Sequence, residues 1–162
     1  MPTILITGAS RGLGLEFARQ YAAHGWRVYA TCRRVGAAAA LNDISGDIHI
    51  REMDISDTTQ VLALAQTLHD VPIDVLLNNA GIVGPEDESA TFGTLNLAAW
   101  QHVMGVNAMA PLKVTEAFLN HVKASDRKII VFISSRAGSI TERGSLPHHK
   151  PGGSYVFRSS KA

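Results

Sequence analysis

Cysteine is nearly absent from this chain of 162 residues. Cys32 stands alone, so no internal disulfide can form, which suits a reducing compartment such as the cytoplasm. Long apolar runs are missing too: none approaches the roughly 18 residues a membrane-spanning helix needs. The apolar opening ILI runs straight into glycines, too short for the core of a secretory signal. Nor is there a surplus of charge. With 15 Lys and Arg against 14 Asp and Glu the net charge is +1, so no global field draws the chain to nucleic acid or to an anionic membrane. A basic patch with interleaved aromatics, as single-stranded nucleic acid would need, is lacking as well. What remains is an ordinary composition, 46% apolar and 18% charged, with enough apolar surface for one sizeable core.

Short β-branched runs alternate with stretches at helical spacing. Strands are predicted at Thr3 to Thr7, Arg27 to Thr31, Asp47 to Met53, Ile73 to Asn78 and Lys128 to Ile133. The first, fourth and fifth are almost continuously apolar, as in strands buried on both faces of a parallel sheet. Between them, Leu13, Phe17 and Tyr21 recur every four residues, and Asp57 with Gln60 reads as a capping box ahead of Val61, Leu64, Ala65 and Leu68. Pro111 sits where a helix can begin, followed by a stripe of Thr115, Phe118, Leu119 and Val122. The alternation predicts βαβ units in a doubly wound, Rossmann-type α/β sheet. Loops at Gly81 to Gly93 and Ser134 to Ser154 follow the carboxyl ends of strands, where such sheets bind ligands.

The first strand runs into GASRGLG, and a helical pattern starts at Leu13. Gly8, Gly12 and Gly14 between strand and helix let backbone N–H groups approach a pyrophosphate at the helix N-terminus, where the dipole favours negative charge. A glycine trio alone is equally a tight turn; the strand before it and the helix after it favour the phosphate site. After the second strand the chain reads Thr31, Cys32, Arg33, Arg34, with Arg11 in the glycine loop. An NAD site usually places a carboxylate there for the ribose 2′-hydroxyl. Guanidinium groups instead favour a 2′-phosphate, hence NADP(H) over NAD(H), although a solvated basic corner would read the same. Cys32 is expected to pack as a small hydrophobe. His148 and His149 are adjacent with no third ligand at a fixed spacing, and no metal site is expected of them.

Together these residues resemble the short-chain dehydrogenase/reductase family. TGASRGLG at Thr7 to Gly14 looks like its cofactor loop, MDISD at Met53 to Asp57 its adenine-side loop, and NNAG at Asn78 to Gly81 its motif after the fourth strand. VNAMAP at Val106 to Pro111 and ISSRAGSI at Ile133 to Ile140 are similar to the segments carrying its asparagine and its catalytic serine. Within the family, SSRAGSI and GGSY-x-x-R-x-SKA look closest to the C-factor and sniffer-like carbonyl reductases. The resemblance implies hydride transfer between nicotinamide and a carbonyl carbon, with a small-molecule carbonyl or alcohol as substrate. It places Gly8, Ser10, Arg11, Gly12, Leu13, Gly14, Arg33, Asp54, Ile55, Asn79, Ala80, Gly81 and Lys161 against the cofactor. Asn107, Ser135 and Lys161 take its catalytic roles: ordering a relay water, bonding the substrate oxygen, and holding the nicotinamide ribose.

The family's acid is a tyrosine four residues before the lysine, and that position is Phe157. At about 100° per residue, positions 157 and 161 differ by about 40° and share a helix face, whereas Tyr155 lies about 120° away. Tyr155 matches a flanking aromatic and Phe157 has no hydroxyl, so proton transfer is expected to be impaired. A non-catalytic NADP(H) sensor or interaction module is the alternative. Family members continue past this helix, so the chain reads as one dinucleotide-binding domain, 1–162, truncated after the fifth strand. In the family, helices matching Pro111 to Lys123 and the one near Tyr155 commonly form a homodimer interface.

Overall fold

The computed structural model describes residues 1–85, 87–141 and 155–162. His148 and His149 lie outside them. Five strands form one parallel sheet: β1 (Thr3–Ile6), β2 (Arg27–Cys32), β3 (Ile48–Glu52), β4 (Val75–Asn78) and β5 (Ile129–Phe132), in the order β3-β2-β1-β4-β5. Ile4 is in register with Val28 on one side and Val75 on the other. The helices are α1 (Gly12–Ala23), α2 (Ala39–Asn42), α3 (Thr58–Thr67), α4 (Leu97–Met104), α5 (Ala110–Lys123) and α6 (Tyr155–Lys161). All five predicted strands are present.

The chain divides into two compact units. One comprises Met1–Ala80 and Pro111–Ile133, and the other Gly81–Ala110 and Ser134–Ala162. The first holds the whole sheet. On one face Ile4, Ile6, Val28, Ala30, Cys32, Val75 and Leu77 pack with Ala18 and Ala22 of α1. Leu5 and Leu76, which alternate with these, are also fully buried, so both faces of the middle strands are covered. The small core of the second unit is Ala90, Val103 and Val156, with Ile82, Leu95 and Trp100 around it.

Four expectations are corrected and a fifth is met in part. The buried stripe of α1 is Gly14, Ala18 and Ala22, and Leu13 is 63% exposed. Small residues let the helix approach the sheet closely, so the larger neighbours are displaced to its flanks. Of the stripe expected on α5, Phe118 and Val122 are buried as expected but Leu119 is exposed, and Val114 is buried in line with them. β5 is not buried on both faces: Ile129 and Phe132 are exposed, because an edge strand has a neighbour on one side only. Pro111 does not start a helix, since a π turn at Gly105–Met109 leads into α5 from Ala110. In a regular helix a proline ring clashes with the carbonyl four residues back, and a wider turn relieves that clash. At α3 the cap is only half as expected. The Asp57 carboxylate accepts from the Thr59 and Gln60 N–H groups, but the Gln60 side chain accepts from the Asp54 N–H at 2.9 Å.

Candidate active site

In the first unit, the turn from β1 into α1 is built by glycines and held by Thr7. Gly8 and Gly12 have φ of +67° and +56°, the left-handed region where a side chain is strained. A Cβ on Gly14 would lie 2.4 Å from the Gly8 carbonyl oxygen and 2.6 Å from Asn79 Nδ2, so the floor of the loop admits glycine alone. The Thr7 hydroxyl accepts from the N–H groups of Asn79 and Ala80, each at 3.0 Å. Asn79 Nδ2 donates to the carbonyls of Thr7 (2.9 Å) and Gly8 (3.2 Å). The predicted NNAG segment therefore grips the back of the glycine loop. Arg11 occupies the N-cap of α1 and makes no side-chain cap, so the first N–H groups of this 12-residue helix are left for a ligand.

The Ala9 N–H donates to the Thr31 carbonyl at 2.8 Å, which joins the loop to the end of β2. Arg33 and Arg34 follow that strand end with exposed side chains, as does Arg11 on the loop. Cys32 is buried, and burial pushes its thiol pKa up, as suits a packing residue. Asp54 turns its carboxylate onto the Ser56 N–H (2.9 Å) and hydroxyl (2.6 Å), and Ile55 is buried.

In the second unit, Asn107 lies in the π turn and is buried. Its Oδ1 accepts from the Ile82 N–H (2.9 Å), and its Nδ2 donates to the Ile82 carbonyl (2.8 Å) and to Ser160 Oγ (2.9 Å). Gly81 sits against both candidate residues: a Cβ there would be 3.1 Å from Asn107 Oδ1 and 3.5 Å from Lys161 Nζ. Ser134 Oγ donates to the Lys161 carbonyl at 2.9 Å. Ser135 is exposed, and its Oγ accepts from the Ala137 N–H at 3.1 Å, which leaves the hydroxyl proton free to be donated. Phe157 and Lys161 lie one turn apart on α6, with Tyr155 at its first residue.

A family model described as short chain dehydrogenase matches residues 2–146. The chain belongs to the short chain dehydrogenase family. Among its curated relatives, the ketoacyl reductase HetN of Nostoc sp. is 36% identical over 142 residues, covering 84% of this chain and 48% of the relative. Human retinol dehydrogenase 12 is 32% identical over 155 residues, 90% of this chain and 46% of the relative. The chain thus spans about half the length of these curated relatives. A carbonyl reductase from Pseudomonas aeruginosa PAO1 superposes with a TM-score of 0.84 at 25% identity, over 99% of this chain and 71% of that one. A short-chain dehydrogenase/reductase from Burkholderia multivorans with bound NADP gives 0.75 at 31%, over 99% and 67%. The family is one of NAD(P)-binding oxidoreductases. Among the described residues, no helix is long and apolar enough to cross a membrane, and no cluster of His, Cys, Asp or Glu could hold a metal ion.

Burial holds the Lys161 ammonium below the ordinary lysine pKa. The folded state therefore binds that proton less tightly than the unfolded chain does. Stability contributed by the neutral amine is present above the unfolded-state pKa and is lost as pH falls through the lowered folded-state value. The urea midpoint of the protein should rise relative to that of Lys161→Met across the alkaline interval just below the ordinary lysine pKa. Parallel curves for the two proteins would refute the assignment.

Sequence reading missed the Thr7 hydroxyl in the first unit, and the Ile82 backbone and Ser160 in the second. Thr7 and Ser160 lie inside quoted motifs, yet their partners are 72 and 53 residues away, respectively.

Proposed function

We propose that this protein is an NADP(H)-dependent oxidoreductase of the carbonyl reductase or alcohol dehydrogenase type, with its proton-donor step impaired by Phe157. The carrying observation is the start of α1, which is bare of a side-chain cap, entered through left-handed glycines and floored by Gly14. That cradle fits a pyrophosphate, with Gly8, Ser10, Arg11, Gly12, Leu13 and Gly14 around it. The exposed Arg33 and Arg34 favour a 2′-phosphate. Relatives named as ketoacyl reductase, retinol dehydrogenase and carbonyl reductase support a small-molecule carbonyl or alcohol as substrate.

NADP(H), when bound, supplies or accepts the hydride. Lys161 would hold the nicotinamide ribose, and Ser135 would donate its hydroxyl proton to the substrate oxygen. Asn107 holds the backbone at Ile82 and the start of the loop that carries Gly81. Phe157 offers no proton to the oxygen. A second reading, a non-catalytic NADP(H) sensor or interaction module, is favoured by Phe157 alone. We further infer one dinucleotide-binding domain acting as a homodimer in the cytoplasm. The exposed Leu112 and Leu119 on α5 support self-association, and the single buried thiol suits a reducing compartment.

Calorimetric titration with NADPH and NADH tests the cofactor. Charge-assisted bonds contribute about 1.5–3 kcal/mol each, so NADPH should bind roughly 10–100-fold more tightly than NADH. Arg33→Asp should remove most of that preference. Equal binding of both cofactors to the unaltered protein would eliminate the 2′-phosphate reading, and binding of neither would eliminate the function.

A further inference from the structure

Ser160 lies on α6 next to Lys161, is buried, and has none of the roles assigned above. Its oxygen accepts from Asn107 Nδ2 at 2.9 Å, and its own proton goes to the Phe157 carbonyl at 2.7 Å. One hydroxyl thus joins the backbone at the acid position, the residue beside the lysine, and the asparagine. The Asn107 carboxamide is then fully engaged, with its acceptor on the Ile82 N–H and its two donor hydrogens on the Ile82 carbonyl and Ser160. Without the serine hydroxyl, a buried N–H would lose its partner, and the carboxamide would turn to seek another. That rotation would act on Gly81, which lies against both Asn107 Oδ1 and Lys161 Nζ.

We propose that Ser160 is a positioning residue, whose shared hydroxyl fixes Asn107 and the Lys161 end of α6 against the Gly81–Ile82 backbone and so sets the place of the nicotinamide ribose. This rests on the dinucleotide reading above. Ser160 touches neither cofactor nor substrate; it acts through Asn107 and Lys161. A threonine retains the function, because its hydroxyl can also bond a carbonyl one turn back in a helix.

The test compares two ligands on the full chain. NADPH reaches Lys161 through its nicotinamide ribose, whereas adenosine 2′,5′-bisphosphate carries the 2′-phosphate and no nicotinamide riboside. Ser160→Ala should weaken NADPH about tenfold and leave the bisphosphate within about twofold, with Ser160→Thr returning NADPH to within about threefold of the unaltered protein. If Ser160→Ala does not fold, Ser160→Cys takes its place, since a thiol fills the volume but is a weak hydrogen-bonding group, and the same pattern is expected. Unchanged NADPH affinity overturns the proposal. So does equal weakening of both ligands, which marks a general fold defect, or a threonine variant as weak as the alanine one. Failure of the unaltered protein to bind either ligand overturns the dinucleotide reading itself and is distinct from these outcomes.

Discussion

Phe157→Tyr should raise carbonyl-dependent oxidation of NADPH by about 10²–10⁴-fold, the usual contribution of a positioned general acid. The substitution adds one oxygen at the end of a half-buried ring, at a backbone position already held by the Ser160 hydroxyl. Lys161 follows one turn later on α6, so its positive charge would lower the pKa of the new phenol and favour proton exchange near neutral pH. Under the proposed reading, Ser135, whose oxygen accepts from the Ala137 N–H, would donate its hydroxyl proton to the same substrate oxygen. The measurement is loss of NADPH absorbance with a small aromatic aldehyde, together with the NADPH dissociation constant. A gain in rate at unchanged affinity identifies a disabled reductase, and adding Lys161→Met should then abolish the gain. No gain at unchanged affinity would sink the reductase reading in favour of the binding module.

The sheet was legible because its strands are short apolar runs bounded by glycine, polar or charged residues, and the parallel order follows from the helices between them. Side-chain packing was less legible. Periodicity marked Leu13, Phe17 and Tyr21 on α1 because they are its large apolar residues, and Phe17 and Tyr21 do pack against the core from the flank. Close approach to the sheet instead selects Gly14, Ala18 and Ala22, one position along at the same spacing. Pro111 misled in a similar way: proline signals a helix start only where the preceding turn is regular, and nothing local announces the π turn at Gly105–Met109.

The candidate site divides along the same line. Asn107, Ser135 and Lys161 are named by motif resemblance, and the family's spacing of four residues before the lysine, which keeps both positions on one helix face, points to Phe157 rather than Tyr155 as the acid position. The bonds that place them join residues far apart in sequence. Thr7 meets Asn79 and Ala80, and Asn107 meets Ile82 and Ser160. A motif names a residue type at a position; it does not say which lone pair faces which N–H. Asn79 illustrates the difference. Its Nδ2 donates to the Thr7 and Gly8 carbonyls, where it braces the loop, a partnership the motif itself does not show.

That bracing sets the largest expected loss of binding. Gly14→Ala should weaken NADPH by more than about 100-fold, while Gly12→Ala weakens it by about 30-fold at most. At Gly14 the new Cβ would meet the Gly8 carbonyl oxygen at 2.4 Å, Asn79 Nδ2 at 2.6 Å and Ala9 Cα at 3.0 Å, two of them backbone atoms that cannot swing aside. The loop must open, and its N–H groups then leave the pyrophosphate; two lost charge-assisted bonds at about 1.5–3 kcal/mol each give the stated factor. At Gly12 a Cβ meets nothing within 4 Å, so the penalty is the left-handed φ of +56° alone, about 1–2 kcal/mol. Calorimetric titration of both variants, with thermal melts to establish that each is folded, separates crowding of the loop from backbone strain. Equal losses at the two positions would mean that the close packing of Gly14 on Gly8 and Asn79 is not what shapes the phosphate cradle.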